Sequence, residues 1–523
     1  MEGDLGWPLR RSARLFPKKI AVRDGDVALT YADLARRVGA LGGGLDRLGV
    51  DRGKRLGYLG VNSLPHLECA VGVPAHARVL VDLNFRLSLE ELATIIEDAE
   101  VTALVVDRDN LEVGRKLRDR CACLRELVLA APVSESDTVA YEELVSGAPV
   151  EGGPPKSDQP ALISYTGGTT GRPKGVVLSH GNLLANARHN LIVTKHAESD
   201  TMIHPCPMFH AAGLANVFAS LWVGAENVII PRFDPALMVE AIEGHGVTLA
   251  ILVPTMIGML LDYLEEFGGD LSSLRNLQYA ASPISPELQR RAVETLPCEL
   301  AQFYGMTEAA PTVTHLSPQQ HSRGIAGEEP YRSRLASVGV PVPGVEAEVH
   351  RPDGREAAVG EVGEVWVRGP NVMVGYWNRP EETAQVLVDG WLRSGDAAFV
   401  DEDGFLHLVD RIKDMIVSGG ENVYSVEVER VLHTHLAVRE AAVFGIPDAR
   451  WGETVHAIVV VDPEQASVDE ATIIEHCRDR LAGFKIPRSV ELRSTRLPTS
   501  GAGKVLKAEL RQEFWPDGVR RIG

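Results

Sequence analysis

Tyr165-Thr166-Gly167-Gly168-Thr169-Thr170-Gly171-Arg172-Pro173-Lys174-Gly175 is the stretch on which the reading of this chain turns. It follows the apolar run Ala161–Ile163, which reads as a strand. Its four glycines free the backbone to aim several N–H groups at one point, and its three threonine hydroxyls add donors. Lys174 brings a positive charge. Together these are the parts of an anion cradle. Most Gly- and Thr-rich segments are plain surface loops, but the dense threonines and the closing Pro-Lys-Gly argue against that here. A Walker A loop needs Gly directly before its Lys and Ser or Thr directly after it. Pro173 and Gly175 flank Lys174, and Val505 follows Gly503-Lys504, so neither lysine fits. No G-x-G-x-x-G stands in a dinucleotide-binding context.

Outward from this loop, helical spacing alternates with short β-branched runs. Leu34, Val38, Leu41, Leu45 and Leu48 share a helix face, and Thr30 three residues before Asp33 predicts a capping box. Ala103–Val106, Val228–Ile230, Leu249–Val253 and Leu277–Ala280 read as strands. The alternation predicts an α/β fold: a large N-terminal domain of parallel-type sheets flanked by helices. From Val345 the texture becomes that of a small β-rich subdomain, with turns at Pro352-Asp353-Gly354 and Asp401-Glu402-Asp403-Gly404. A boundary falls near residues 410–420, giving domains 1–411 and 412–523. The second has a compact α+β pattern: helix-like Val426–Leu432, strand-like Ala441–Phe444 and His456–Val461, and helix-like Ala471–Leu481.

Composition narrows the partners. The 523 residues are ample for a buried core without disulfide staples. Acidic residues outnumber basic ones, 72 to 53, for a net charge of −19. Such a surface repels phosphate backbones and anionic lipids, which argues against nucleic acid as a main partner. The six cysteines are scattered and fit a reducing compartment. No run approaches the roughly 20 apolar residues of a membrane span, and Glu2, Asp4, Pro8 and Pro17 spoil a signal or transit reading. A cytoplasmic protein is expected.

With these residues in hand, the chain resembles the adenylate-forming superfamily of acyl-CoA synthetases, adenylation domains and luciferases. The loop resembles its phosphate signature, with Gly168 where Ser is usual. Further matches follow in the family's order: Pro207-Met208-Phe209-His210, Tyr279-Ala280-Ala281-Ser282-Pro283, Tyr304-Gly305-Met306-Thr307-Glu308 and Ser394-Gly395-Asp396. Arg411-Ile412-Lys413-Asp414 with Gly419-Gly420-Glu421-Asn422, and Pro498 through Lys504, complete the series. The second motif departs from the commoner G-G-A-P. Pro is usual at Ser425, and Gly-Ala-Val is common at Ala77-Arg78-Val79.

The resemblance implies that a carboxylate attacks the α-phosphate of ATP, giving acyl-adenylate and pyrophosphate, after which a CoA thiol displaces AMP. It gives Lys504 the role of bridging carboxylate and α-phosphate, where anion meets polyanion and a cation is needed. Glu308 and Thr166 would hold Mg²⁺. Gly167, Gly168, Thr169, Thr170, Gly171 and Lys174 would surround the phosphates, and Ala281, Ser282, Tyr304, Gly305 and Thr307 the adenine. Asp396 and Arg411 would contact ribose or phosphate, although Ser-Gly-Asp alone is also a common turn. Lys413 would be the pivot of a mobile C-terminal domain, and Gly419 with Gly420 would line the CoA channel.

His210, Ala211 and Gly213 would line the acyl pocket. No fixed negative charge awaits an amine at His210, which disfavours amino acids as substrates. The partners implied are a small carboxylic acid, ATP and CoA. An acyl carrier protein in place of CoA, a binding relative that has lost catalysis, and a homodimer remain open alternatives.

Overall fold

The computed structural model describes residues 3–131, 135–150, 153–166, 173–412, 414–419, 421–462, 468–478, 480–499 and 505–515. The chain divides into two compact units, one of Met1–Ala281, Arg290–Ala347 and Val367–Leu392, the other of Ser282–Gln289, Glu348–Trp366 and Arg393–Gly523.

The first unit is built on two sheets. In the nine-stranded sheet the order is Val340–Pro341, Thr312–Leu316, Glu299–Gly305, Asn276–Tyr279, Leu249–Leu252, Thr201–His204, Glu226–Ile229, Ile20–Asp24 and Val27–Thr30. Its interior pairs are parallel, and antiparallel neighbours close both ends. In the eight-stranded sheet the order is Gly375–Tyr376, Lys174–Ser179, Pro160–Thr166, Val79–Leu83, Arg55–Leu59, Val101–Asp107, Glu126–Ala130 and Val139–Ala140. The expected alternation is therefore present, with strands parallel except at the rims. Leu59, Val81, Leu104, Val106 and Ile163 bury one face of this second sheet against helix Leu89–Ala99. Each such side chain contributes roughly 1.5–3 kcal/mol of hydrophobic stabilisation.

Local signals act as read. The Thr30 hydroxyl accepts from the Asp33 amide at 3.1 Å and helix Tyr31–Arg47 follows, burying Leu34, Val38, Leu41 and Leu45. The apolar segment beginning at Ala211 forms helix Ala211–Val223, buried inside the unit. Among the described residues no helix is long and apolar enough to cross a membrane.

The departure at Ala77-Arg78 has a physical reading. Ala77 takes a left-handed backbone, φ +57°, which costs an L-residue roughly 1–2 kcal/mol. Buried Arg78 offsets it by donating to the carbonyls of Val50 and His76 at 2.8 Å each and pairing with Asp46.

In the second unit, Ile416–Ser418, Gly452–Val461 and Val438–Asp448 form an antiparallel sheet, and Ser489–Arg493 adds in parallel to Gly452–Val461. The strands alternate between two buried faces. Val443, Val455 and Val459 pack with Val428, Leu432 and Ile473. Ala442, Phe444 and Ile458 pack with Leu497 and Leu510 on the other side. Helix Glu470–Arg478 is shorter than the pattern suggested, but Leu481 beyond it still joins the core.

Burial pushes the imidazoles of His180, His189, His196, His204 and His321 down to about 4, so all five are held neutral. The unfolded chain takes up protons below about pH 6.5 that the native state refuses. Stability is full above that pH, is lost as pH falls, and stops changing below about 4. Each group costs up to about 1.4 kcal/mol at pH 5.5. Urea midpoints should fall steadily from pH 7 to pH 4.5; a flat profile would contradict the neutral assignment.

Candidate active site

The strand Pro160–Thr166 and its antiparallel partner Lys174–Ser179 bring Thr166 opposite Lys174. The Thr166 hydroxyl donates to the Lys174 carbonyl at 3.5 Å. Gly167, Gly168, Thr169, Thr170 and Gly171, between these strands, lie outside the described residues. So do Lys413, Gly420 and Lys504. At the near end of the hairpin the Tyr165 hydroxyl donates to Asp98 at 2.6 Å, and Asp98 also pairs with Arg379.

A second segment completes this side of the site. Val374 and Trp377 donate backbone bonds to Val177 and Gly175 at 3.0 and 2.7 Å, and Gly375–Tyr376 pairs with Val176 and Val177. The Lys174 ammonium lies 5.2 Å from the centre of the Tyr376 ring. The Tyr376 hydroxyl donates to Glu308 Oε1 at 3.0 Å. Burial and the Glu308 charge both push the Tyr376 phenol upward, so it stays a donor. A cation, an aromatic face, a phenol and a carboxylate thus form one chain of contacts beside Thr166.

Glu308 sits in the short turn Thr307–Ala309, whose backbone is held from outside. Met373 N donates to the Glu308 carbonyl at 2.8 Å. Buried Asn371 spends its amide on the carbonyls of Ala309 and Thr312 at 2.8 and 2.9 Å. Thr312 in turn donates to Asn186 and Asn190. Gly305, just before the turn, admits no side chain: a Cβ there would stand 1.7 Å from the Pro311 carbonyl oxygen. Tyr304 is 9% exposed on the same strand.

The remaining residues fall elsewhere. His210 is the N-cap of Ala211–Val223, with its ring 4.4 Å from that of Phe209. Ala211 is buried, and a Cβ on Gly213 would meet the Pro207 carbonyl oxygen at 2.1 Å, so Gly213 holds the helix against the preceding motif. Ala281 is left-handed at φ +76°, a backbone better suited to Gly, and Ser282 is half-buried. In the second unit, Asp396 pairs in register with Arg411 across the hairpin of Trp391–Val400 and Leu406–Arg411, at 3.3 Å. Gly419 N donates to the Trp451 carbonyl at 2.8 Å.

Two residues received no role from the sequence, although the stretch Asn371–Pro380 that holds them shares in the family resemblance: Tyr376 and Asn371 lie more than sixty positions after the turn they support, and no spacing rule connects them. Chemically, a carboxylate and a hydroxyl suit a hard cation on oxygen, and an adjacent ammonium suits phosphate. Among the described residues no three His, Cys, Asp or Glu side chains form a metal cage. A cation here would draw most of its ligands from water and substrate phosphates, which is how Mg²⁺ is commonly held.

Residues 9–377 match the AMP-binding enzyme family and residues 427–504 its C-terminal domain. The chain is 41% identical to a feruloyl-CoA synthase of Amycolatopsis sp, over 97% of this chain and 98% of that one. It is 37% identical to a fatty acid–[acyl-carrier-protein] ligase of Streptomyces coeruleorubidus, over 94% and 93%. Among solved structures, it superimposes on o-succinylbenzoate CoA synthetase from Bacillus subtilis bound to its acyl-adenylate, with TM-score 0.85, 30% identity and 98% of each chain covered. The chain belongs to the AMP-binding enzyme family.

Tyr376→Phe removes one hydrogen bond to a carboxylate, worth roughly 1.5–3 kcal/mol. ATP-dependent pyrophosphate release should fall about 10- to 100-fold in kcat/KM, with the thermal midpoint shifted only a few degrees. Unchanged kinetics would detach Tyr376 from the site.

Proposed function

We propose that this member of the AMP-binding enzyme family activates an oxygen-bearing aromatic carboxylic acid with ATP and transfers it to CoA, in the cytoplasm. The reaction class is ATP-dependent acid–CoA ligation through an acyl-adenylate, with ATP, Mg²⁺ and CoA as cofactors and cosubstrate. The carboxylate attacks the α-phosphate and pyrophosphate leaves; the CoA sulfur then attacks the acyl carbon and AMP leaves.

The observation that carries the assignment of roles is the Lys174–Tyr376–Glu308 chain beside Thr166. On this reading Glu308 and Thr166 hold Mg²⁺, which when bound shields phosphate charge. Lys174 and the loop 167–171 take the phosphates, and Ala281, Ser282, Tyr304, Gly305 and Thr307 take the adenine. Asp396 and Arg411 orient the ribose. Lys504 neutralises the charge that builds between carboxylate and α-phosphate. The domain of residues 412–523 turns about Lys413 so that Lys504 serves the first step and leaves room for CoA, past Gly419 and Gly420, in the second.

Two observations support an oxygenated aryl acid. One is the likeness to feruloyl-CoA synthase. The other is a buried amide chain behind the helix that follows His210. Asn190 donates to Asn216 at 3.2 Å, and Asn216 donates to Gln278 at 2.8 Å. Gln278, 1% exposed, keeps its Nε2 donor without an acceptor in the structure. On this reading Gln278 Nε2 faces the acyl group, where a donor rewards an oxygen and penalises a purely aliphatic chain. The likeness to a carrier-protein ligase supports a second reading, in which a phosphopantetheine-bearing protein replaces free CoA.

Pyrophosphate release and thioester formation should be measured over hydroxy- and methoxy-cinnamic acids, unsubstituted cinnamate, fatty acids and amino acids. Oxygenated aryl acids should exceed hexanoate by at least about tenfold in kcat/KM and form thioester with free CoA. Pyrophosphate without thioester until a carrier protein is added would select the second reading. Lys504→Ala should lower adenylate formation at least about 100-fold while leaving ATP-dependent thermal stabilisation; wild-type turnover would remove Lys504 from the mechanism.

A further inference from the structure

Ser425 stands at the first position of helix Ser425–Leu432, where the family resemblance leads one to expect Pro. The residue makes two bonds that a Pro has no atoms to make. Its backbone N–H donates to Asp410 Oδ2, and its hydroxyl accepts from the Lys507 ammonium at 2.6 Å. Asp410 is 7% exposed and Ser425 fully buried. The other Asp410 oxygen accepts from the Arg411 amide at 2.7 Å. Lys507 also pairs with Glu429 Oε1 at 2.7 Å, and that oxygen is fixed by the Val443 amide at 2.8 Å.

This chain has two ends. Asp410 lies on the N-terminal side of position 413, and Ser425, Glu429 and Lys507 lie on its C-terminal side. Lys507 begins the helix Lys507–Gln512, three residues after Lys504 in sequence. Val505 and Leu506, just before that helix, are held by the pairing of Val505 with Thr499 and by the Leu506 amide donating to the Pro498 carbonyl at 2.8 Å. By contrast, Arg511 pairs with Asp414 at 3.0 Å with both partners beyond position 413, so that bond is indifferent to rotation there. A bond spanning a pivot is made in one orientation and broken in another.

We infer that Asp410–Ser425–Lys507 is a latch across position 413, and that Ser425 is a positioning residue setting the balance between acyl-adenylate formation and thioester formation. The inference rests on the roles of Lys413 and Lys504 proposed above. A latch bond to a buried carboxylate favours the orientation that contains it, so the half-reaction served by that orientation gains and the other loses. Residues at this position that lack a backbone donor give up this bias.

Ser425→Pro is the direct test, because the first turn of a helix is where Pro is best tolerated. Pyrophosphate release in the first half-reaction and conversion of preformed acyl-adenylate by CoA in the second are measured separately by single-turnover kinetics. The expected result is a change of at least threefold in opposite directions, with a thermal midpoint within a few degrees of wild type. Asp410→Asn, which keeps the shape but weakens the acceptor, should shift both rates in the same senses and less far. Equal loss in both half-reactions, or no change in either, overturns the latch. Lys504→Ala measured alongside separates the premises: if it adenylates normally, the underlying assignment fails, whatever Ser425→Pro does.

Discussion

One hydrogen bond, from the Tyr376 phenol to the Glu308 carboxylate, ties together two pieces of the proposed catalytic centre that come from separate stretches of the chain. Glu308 follows the strand Glu299–Gly305, whereas Tyr376 belongs to a two-residue strand on a different sheet. The same tyrosine offers its face to Lys174. A carboxylate and an ammonium are thereby kept in one neighbourhood without pairing directly, so both charges can serve a ligand rather than neutralise each other. Burial of the phenol makes the arrangement durable, because an ionised tyrosinate beside a carboxylate would repel it.

The surrounding polar structure works toward the same end. Asn371 holds the carbonyls of Ala309 and Thr312 at and beyond the end of the Glu308 turn, and Asn186 and Asn190 hold the amide and hydroxyl of Thr312. Buried amides left unmatched are costly, so such networks hold a geometry as well as a stability. Where the chain departs from its family's usual residues, the structure shows two outcomes. Arg78 replaces lost backbone freedom at Ala77 with three specific bonds. Ala281 keeps its left-handed backbone at the proposed nucleotide motif, where strain is commonly retained.

Sequence patterning reached the architecture because the signals are local. The Thr30–Asp33 box starts its helix, apolar spacing marks the buried face of Tyr31–Arg47, and β-branched runs fall on strands. It also singled out Thr166, Lys174 and Glu308, because each stands in a short contiguous motif. It gave Tyr376 and Asn371 no role because their contacts depend on chain segments folding back over long separations, which no periodicity encodes. Arg78 was singled out by its oddity, but only its partners explain it. Ser425 was likewise only an unexplained departure until Asp410 and Lys507 were seen on either side of it.

The two-residue strand Gly375–Tyr376 has an effect apart from ligands. It lies outermost in its sheet and covers the rim of Lys174–Ser179, whose main-chain groups would otherwise stand open at a sheet border. Open borders recruit strands from other molecules. The residue that steadies the acidic turn therefore also belongs to the strand that covers this sheet border, so a substitution that unpaired Gly375–Tyr376 would disturb both together. Selection for a well-behaved, non-sticky protein would by itself preserve part of the catalytic geometry.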